Sequence, residues 1–95
     1  MSTPDIVTPN IVMYSTTICP YCDRARALFD RKQVSITEIK VDQHPDQREI
    51  MLKRAAGRRT VPQIFIGDRH VGGFDELYAL DRKGELDPLL GIAPR

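Results

Sequence analysis

Short apolar runs and proline-started helical repeats alternate along this chain, and that alternation limits the folds open to it. Ile11-Val12-Met13-Tyr14 suits a buried strand, ended by the polar loop Ser15-Thr16-Thr17. From Pro20 the period changes: Cys22, Ala25, Leu28, Phe29 and Lys32 recur at three- and four-residue spacings, with Asp23, Arg24 and Arg26 on the other side. Pro20 fits the first helical position, where its missing N–H would have lacked a partner anyway. β-Branched residues from Val34 to Val41 predict a second strand, although the alternation slips at Glu38. Pro45 opens a second helix with Met51, Leu52 and Ala55 inward and Gly57 as its stop. Pro62 to Ile66 and His70 to Gly72 flank Gly67-Asp68, the signature of a tight hairpin. Phe74, Leu77, Tyr78 and Asp81 then mark a third helix, which stops near Gly84. Asp87-Pro88 starts a last short turn whose Leu86, Leu89 and Leu90 are expected to cover the sheet edge.

The order β, α, β, α, β, β, α predicts an α/β layer fold, and its closing hairpin makes the sheet mixed. Residues 1–9, with Pro4 and Pro9 among small polar residues, read as a loose lead-in, and 10–95 as one domain. A chain of 95 residues buries roughly 60 to 65 % of its unfolded surface, enough for one core. A net charge of +1 gives no field that asks for nucleic acid or an anionic membrane. Apolar stretches fall short of the ~20 residues that span a bilayer, and the N-terminus lacks a secretion pattern, so the cytoplasm is the expected location.

The two cysteines of the chain, Cys19 and Cys22, stand two residues apart where the first helix begins. A structural brace is poor physics there, because closing so short a loop removes less than the ~3 kcal/mol of a 15-residue loop, and a reducing compartment rarely keeps one. Zinc wants four protein ligands, and only His44 and His70 remain in kind, neither in a motif-like spacing. His44 reads as a loop or cap residue and His70 as an exposed strand residue. Chemistry by the cysteines is the stronger reading. Cys19 faces the unpaired N–H groups of the helix start, which favour a thiolate and lower its pKa from ~8.5 into the range ~3.5 to 7.5. Cys22, in line with Ala25 and Phe29, is expected to be more buried and to resolve the mixed disulfide that Cys19 forms.

A pKa of ~6 would raise the thiolate fraction at pH 7 about thirtyfold. A Brønsted slope of ~0.45 would remove about thirteenfold in intrinsic nucleophilicity, so attack gains only about twofold. The larger benefit is that a stabilised Cys19 thiolate leaves readily when another thiol attacks its mixed disulfide.

Cys19-Pro20-Tyr21-Cys22 after a strand, Thr60-Val61-Pro62 before a later strand and Gly72-Gly73-Phe74-Asp75 opening the third helix together resemble the glutaredoxin family, in particular its short bacterial dithiol members. The resemblance covers roughly residues 10 to 90. It implies a thioredoxin-like fold, a four-stranded mixed sheet flanked by three helices, with a cis bond before Pro62. It further implies glutathione as reducing co-substrate with no permanently bound cofactor or metal. Glutathione would lie in a groove formed by Tyr21, Arg58, Thr60, Val61, Pro62, Gly73, Phe74 and Asp75, with its sulfur against Cys19. The helix start at Phe74 and Asp75 suits a carboxylate and an ammonium.

The implied activity is a monomeric thiol-disulfide oxidoreductase that reduces protein disulfides and protein-glutathione mixed disulfides. Two departures stand out. Thr16 occupies a position usually lysine in the family, for which Arg58 and Arg59 are partial replacements, and Phe74 is bulkier than the residue often found there. Two alternatives stay open: electrons supplied by thioredoxin reductase, and an iron-sulfur cluster shared between two subunits with glutathione.

Overall fold

The computed structural model describes residues 10–92, so the expected lead-in over 1–9 lies outside the described residues. Strands β1 (Ile11–Ser15), β2 (Thr37–Lys40), β3 (Gln63–Ile66) and β4 (Arg69–Gly72) form one sheet in the order β2-β1-β3-β4. β1 and β2, joined through helix α1 (Pro20–Arg31), run parallel, while β1 and β3, and β3 and β4, run antiparallel. The mixed sheet is the expected one. Helices α2 (Pro45–Arg54), α3 (Phe74–Arg82) and the short α4 (Leu86–Leu89) complete the fold.

All of β1 is buried, because both faces of the sheet are covered. Ile11 and Met13 pack with Leu28 and Phe29 of α1 and Leu77 of α3, in the cluster that also holds both cysteines. Val12 and Tyr14, pointing the other way, pack with Met51, Ala55 and Phe65 beneath α2. Each large apolar side chain so enclosed contributes about 1.5–3 kcal/mol. Leu86 and Leu90, expected at the sheet edge, instead enter the α1 and α3 side of the core. Lys32 ties these helices together at their far end through ion pairs to Asp81 at 2.7 Å and Asp87 at 2.8 Å.

β2 is shorter than the run of β-branched residues suggests. Gln33 takes a positive φ of 59° and the Val34 N–H donates to Phe29 O at 3.3 Å, so this stretch is spent on leaving α1. Val34 and Ile36 pack against the core from outside the strand, and pairing begins where Thr37 meets Val12. Ser15, read from sequence as loop, is the last residue of β1 and fully buried. Its hydroxyl donates to Glu38 Oε2 at 2.6 Å, and Arg26 grips the same carboxylate through Nε at 2.9 Å and Nη2 at 2.6 Å. Arg26 Nη1 also donates to Asp23 at 2.7 Å. The slip in alternation at Glu38 thus marks a tie between β2, β1 and α1.

Hydrogen bonds from Arg26, then from Ser15, hold the Glu38 carboxyl below its ordinary pKa, against the opposing effect of burial. A depressed carboxylate contributes stability that is present above its unfolded pKa of ~4.3 and lost as the pH falls through the folded value. Glu38→Gln is therefore expected to lower neutral-pH stability by about 1 kcal/mol and to flatten the acid limb below pH ~4.5. Urea unfolding of both proteins across that window checks this.

Candidate active site

Cys19 is the N-cap of α1, with extended backbone at φ −155°, and Pro20 follows as the first helical residue. The Cys22 N–H donates to Cys19 Sγ at 3.1 Å, the bond that a serine or aspartate oxygen ordinarily accepts at a helix start. Asp23 N–H, next along, donates to the Cys19 carbonyl at 3.0 Å. The sulfur thus occupies the capping position with the helix dipole behind it. Cys19 and Cys22 are joined as a disulfide, with Cα atoms 5.1 Å apart. Cys22 is the more buried of the two, as expected, at 0 % exposed, whereas Cys19, expected to be exposed, is buried as well at 8 %. The carbonyl oxygen of Val61, before Pro62, lies 3.8 Å from Cys19 Sγ.

Val61 and Pro62 also line a cleft of about 290 Å³, together with Tyr21, Arg58, Thr60, Gly73, Phe74, Asp75 and Glu76. All eight groove positions suggested by the sequence meet there, drawn from α1, the segment before β3 and the start of α3. The Val61-Pro62 peptide is cis. The α3 start supplies first-turn N–H groups without intrahelical acceptors, the Asp75 carboxylate lies beside them, and Arg58 adds a cation. Arg58, one of the two residues named for a lysine at position 16, lines the cleft. Arg59 does not line the cleft. Thr16 turns its hydroxyl to the Ile18 carbonyl at 3.2 Å, while Thr17 N–H donates to Asp42 at 3.1 Å, so the loop before the cysteines is tied down by uncharged groups and one carboxylate.

Glu76 was not singled out in the sequence, although Gly-x-x-Glu at a helix start is a legible half of a capping box. Its Oε1 accepts the Gly73 N–H at 2.6 Å and lies 3.6 Å from Arg58 Nη2. The Gly73 N–H, then Arg58, hold its carboxyl below the usual range. Gln63 was missed too. It is fully buried, and its amide nitrogen donates to Thr60 O at 2.8 Å and Thr60 Oγ1 at 3.1 Å. The Gln63 amide oxygen lies 2.7 Å from His70 Nε2. His70, expected to be exposed, is half-buried and stacked on Phe65 with ring centroids 4.7 Å apart. Burial, then Arg58, lowers its pKa, which favours the neutral ring as donor to Gln63. A polar residue in an otherwise apolar β3 was the available signal. His44 is the N-cap of α2, as expected, without a side-chain capping bond.

Gly72 has φ +112°, and a Cβ there would stand 2.7 Å from Glu76 Oε1 and 2.9 Å from Arg58 Nη1. Gly72→Ala is expected to cost about 1–3 kcal/mol and to displace the Arg58–Glu76 pair from the cleft wall. A chemical-denaturation midpoint unchanged from the parent would refute this placement of Gly72.

The family model described as Glutaredoxin matches residues 11–71. Glutaredoxin 3 of Escherichia coli is 54 % identical over 81 residues, covering 85 % of this chain and 96 % of its own length. A glutaredoxin of Pseudomonas aeruginosa is 54 % identical over 82 residues, covering 86 % and 96 %. Among solved structures, the buckwheat glutaredoxin-glutathione complex superposes with a TM-score of 0.79 at 38 % identity, covering 90 % of this chain and 83 % of that one. The Brucella melitensis glutaredoxin does so at 0.77 and 45 % identity, covering 93 % and 95 %.

Proposed function

The chain belongs to the glutaredoxin family, whose activity is thiol-disulfide exchange, and from that premise we propose that it is a glutathione-dependent disulfide oxidoreductase. The observation that carries the reading is the capped Cys19 sulfur lying 3.8 Å from the carbonyl oxygen of Val61, a residue that lines a cleft whose walls also offer a cation, helix-start N–H groups and a carboxylate. Glutathione presents two carboxylates, one ammonium and a thiol. Arg58 and the α3 amides suit the carboxylates, Asp75 the ammonium, and the backbone of Val61 the extended tripeptide. Thr60 and Tyr21 wall the same groove.

On a protein-glutathione mixed disulfide the Cys19 thiolate attacks the glutathione sulfur. A Cys19–glutathione bond forms, the protein sulfur leaves with the electron pair and takes a proton from solvent. A second glutathione thiolate then attacks the bound glutathione sulfur, releasing glutathione disulfide and restoring the Cys19 thiolate. On a protein disulfide, Cys19 attacks one sulfur and the Cys22 thiolate attacks Cys19 Sγ. The client leaves as a dithiol and the Cys19–Cys22 bond remains. Two glutathiones supply the two electrons that reopen it. The bond from Cys22 N–H serves Cys19 as attacking group and again as leaving group.

Cys19→Ser is expected to abolish reduction of a glutathione mixed disulfide, whereas Cys22→Ser retains much of it and loses reduction of protein disulfides. Steady-state assays coupled to glutathione and its reductase check both, and equal loss from the two changes would refute the assigned roles. Turnover with thioredoxin reductase alone would overturn glutathione as the electron source.

A further inference from the structure

From the cleft wall a row of stacked planar groups runs outward over α1 and α3. The Arg24 guanidinium lies 5.3 Å from the Tyr21 ring centroid, Tyr21 stacks on Phe74 at 6.3 Å, Phe74 on Tyr78 at 5.7 Å, and Arg82 covers Tyr78 at 5.7 Å. Spacing explains the row: Tyr21 and Arg24 are one turn apart on α1, and Phe74, Tyr78 and Arg82 follow at four-residue steps on α3. Phe74, the bulky departure noted in the sequence, is the ring that joins the two helices. Tyr21 is 52 % and Tyr78 43 % exposed, with Ile18 at 88 % on the loop before Cys19.

The charge at both ends of this row is unspent. Among the described residues neither Arg24 nor Arg82 pairs with a carboxylate, whereas Arg26, Lys32 and Arg58 do. The nearest acidic neighbours in sequence on these helices face other cations: Asp23 holds Arg26, and Asp81 holds Lys32. Asp75 lines the cleft.

We propose that the row from Arg24 to Arg82 docks the polypeptide half of the client and selects segments carrying acidic residues beside the target cysteine. This rests on the glutathione reading of the cleft. A mixed disulfide with its glutathione half in the cleft carries its protein half over the rim that Tyr21 and Phe74 form. Stacked rings lose little freedom when a client covers them. A guanidinium lying on a ring keeps N–H groups for a carboxylate: Arg24 has its edge for one, and Arg82, with Nη1 3.5 Å from the Tyr78 hydroxyl oxygen, has its other N–H groups.

The test uses the reduced full chain and two peptides of equal length with a central glutathionylated cysteine, flanked by glutamates in one and lysines in the other. The expected kcat/KM favours the acidic peptide on the order of tenfold at low ionic strength, with the gap shrinking as salt rises. Arg24→Glu with Arg82→Glu is expected to reverse the preference while leaving turnover of the 2-mercaptoethanol–glutathione mixed disulfide unchanged. That small substrate reads the cleft alone, so its failure in the parent protein would sink the glutathione reading. Serine analogues of the two peptides, measured by fluorescence anisotropy, read docking without chemistry. Equal binding of both, equal loss on the small substrate, or a self-associated chain whose dimer is broken by the two changes would overturn the docking proposal.

Discussion

The bond from the Cys22 amide to Cys19 Sγ organises the rest of the site. It places Cys19 at the N-cap of α1, which starts at Pro20, a short loop after β1 ends at the buried Ser15 with its hydroxyl on Glu38. A sulfur in that position accepts from an amide that would otherwise lack an acceptor, so negative charge on it satisfies the helix. The same geometry sends Cys22 into the core beside Ala25 and Phe29. One helix start thereby makes two cysteines chemically different.

The sheet supplies what the helix start lacks. β3 and α3 bring the Thr60-Val61-Pro62 segment and the Gly73-Phe74-Asp75 turn to the same side of the molecule as Cys19, and the cleft is the space left between them. Its walls are held from behind. Gln63 fixes Thr60 and is itself met by His70, and Glu76 closes the α3 start and faces Arg58. These buried or capping polar contacts cost desolvation that only their partners offset. Glu76 thereby holds Arg58 at the cleft wall.

Much of this was legible in the chain. Period changes placed all four strands and the three longer helices, because prolines and glycines punctuate them at Pro20, Pro45, Gly67 and Gly84. The eight positions named for the groove line one cleft. What was not legible depended on partners distant in sequence. Ser15 looked like loop because its acceptor, Glu38, is 23 residues away, and Glu38 looked like a fault in alternation because its cation is on α1. His70 looked exposed because Phe65 and Gln63 cover it from the neighbouring strand. The β-branched residues at 34–36 favoured a strand locally, yet the turn out of α1 at Gln33 took that stretch. Tertiary partners overruled local propensity in each case.

The exchange chemistry proposed for the site depends on Cys19 being a thiolate stabilised by the start of α1. Titrating the reduced protein by thiolate absorbance near 240 nm, with Cys22→Ser isolating the single sulfur, measures that directly. A Cys19 pKa in the range ~3.5 to 7.5 is the predicted result, and a value near the ~8.5 of a free cysteine would contradict it.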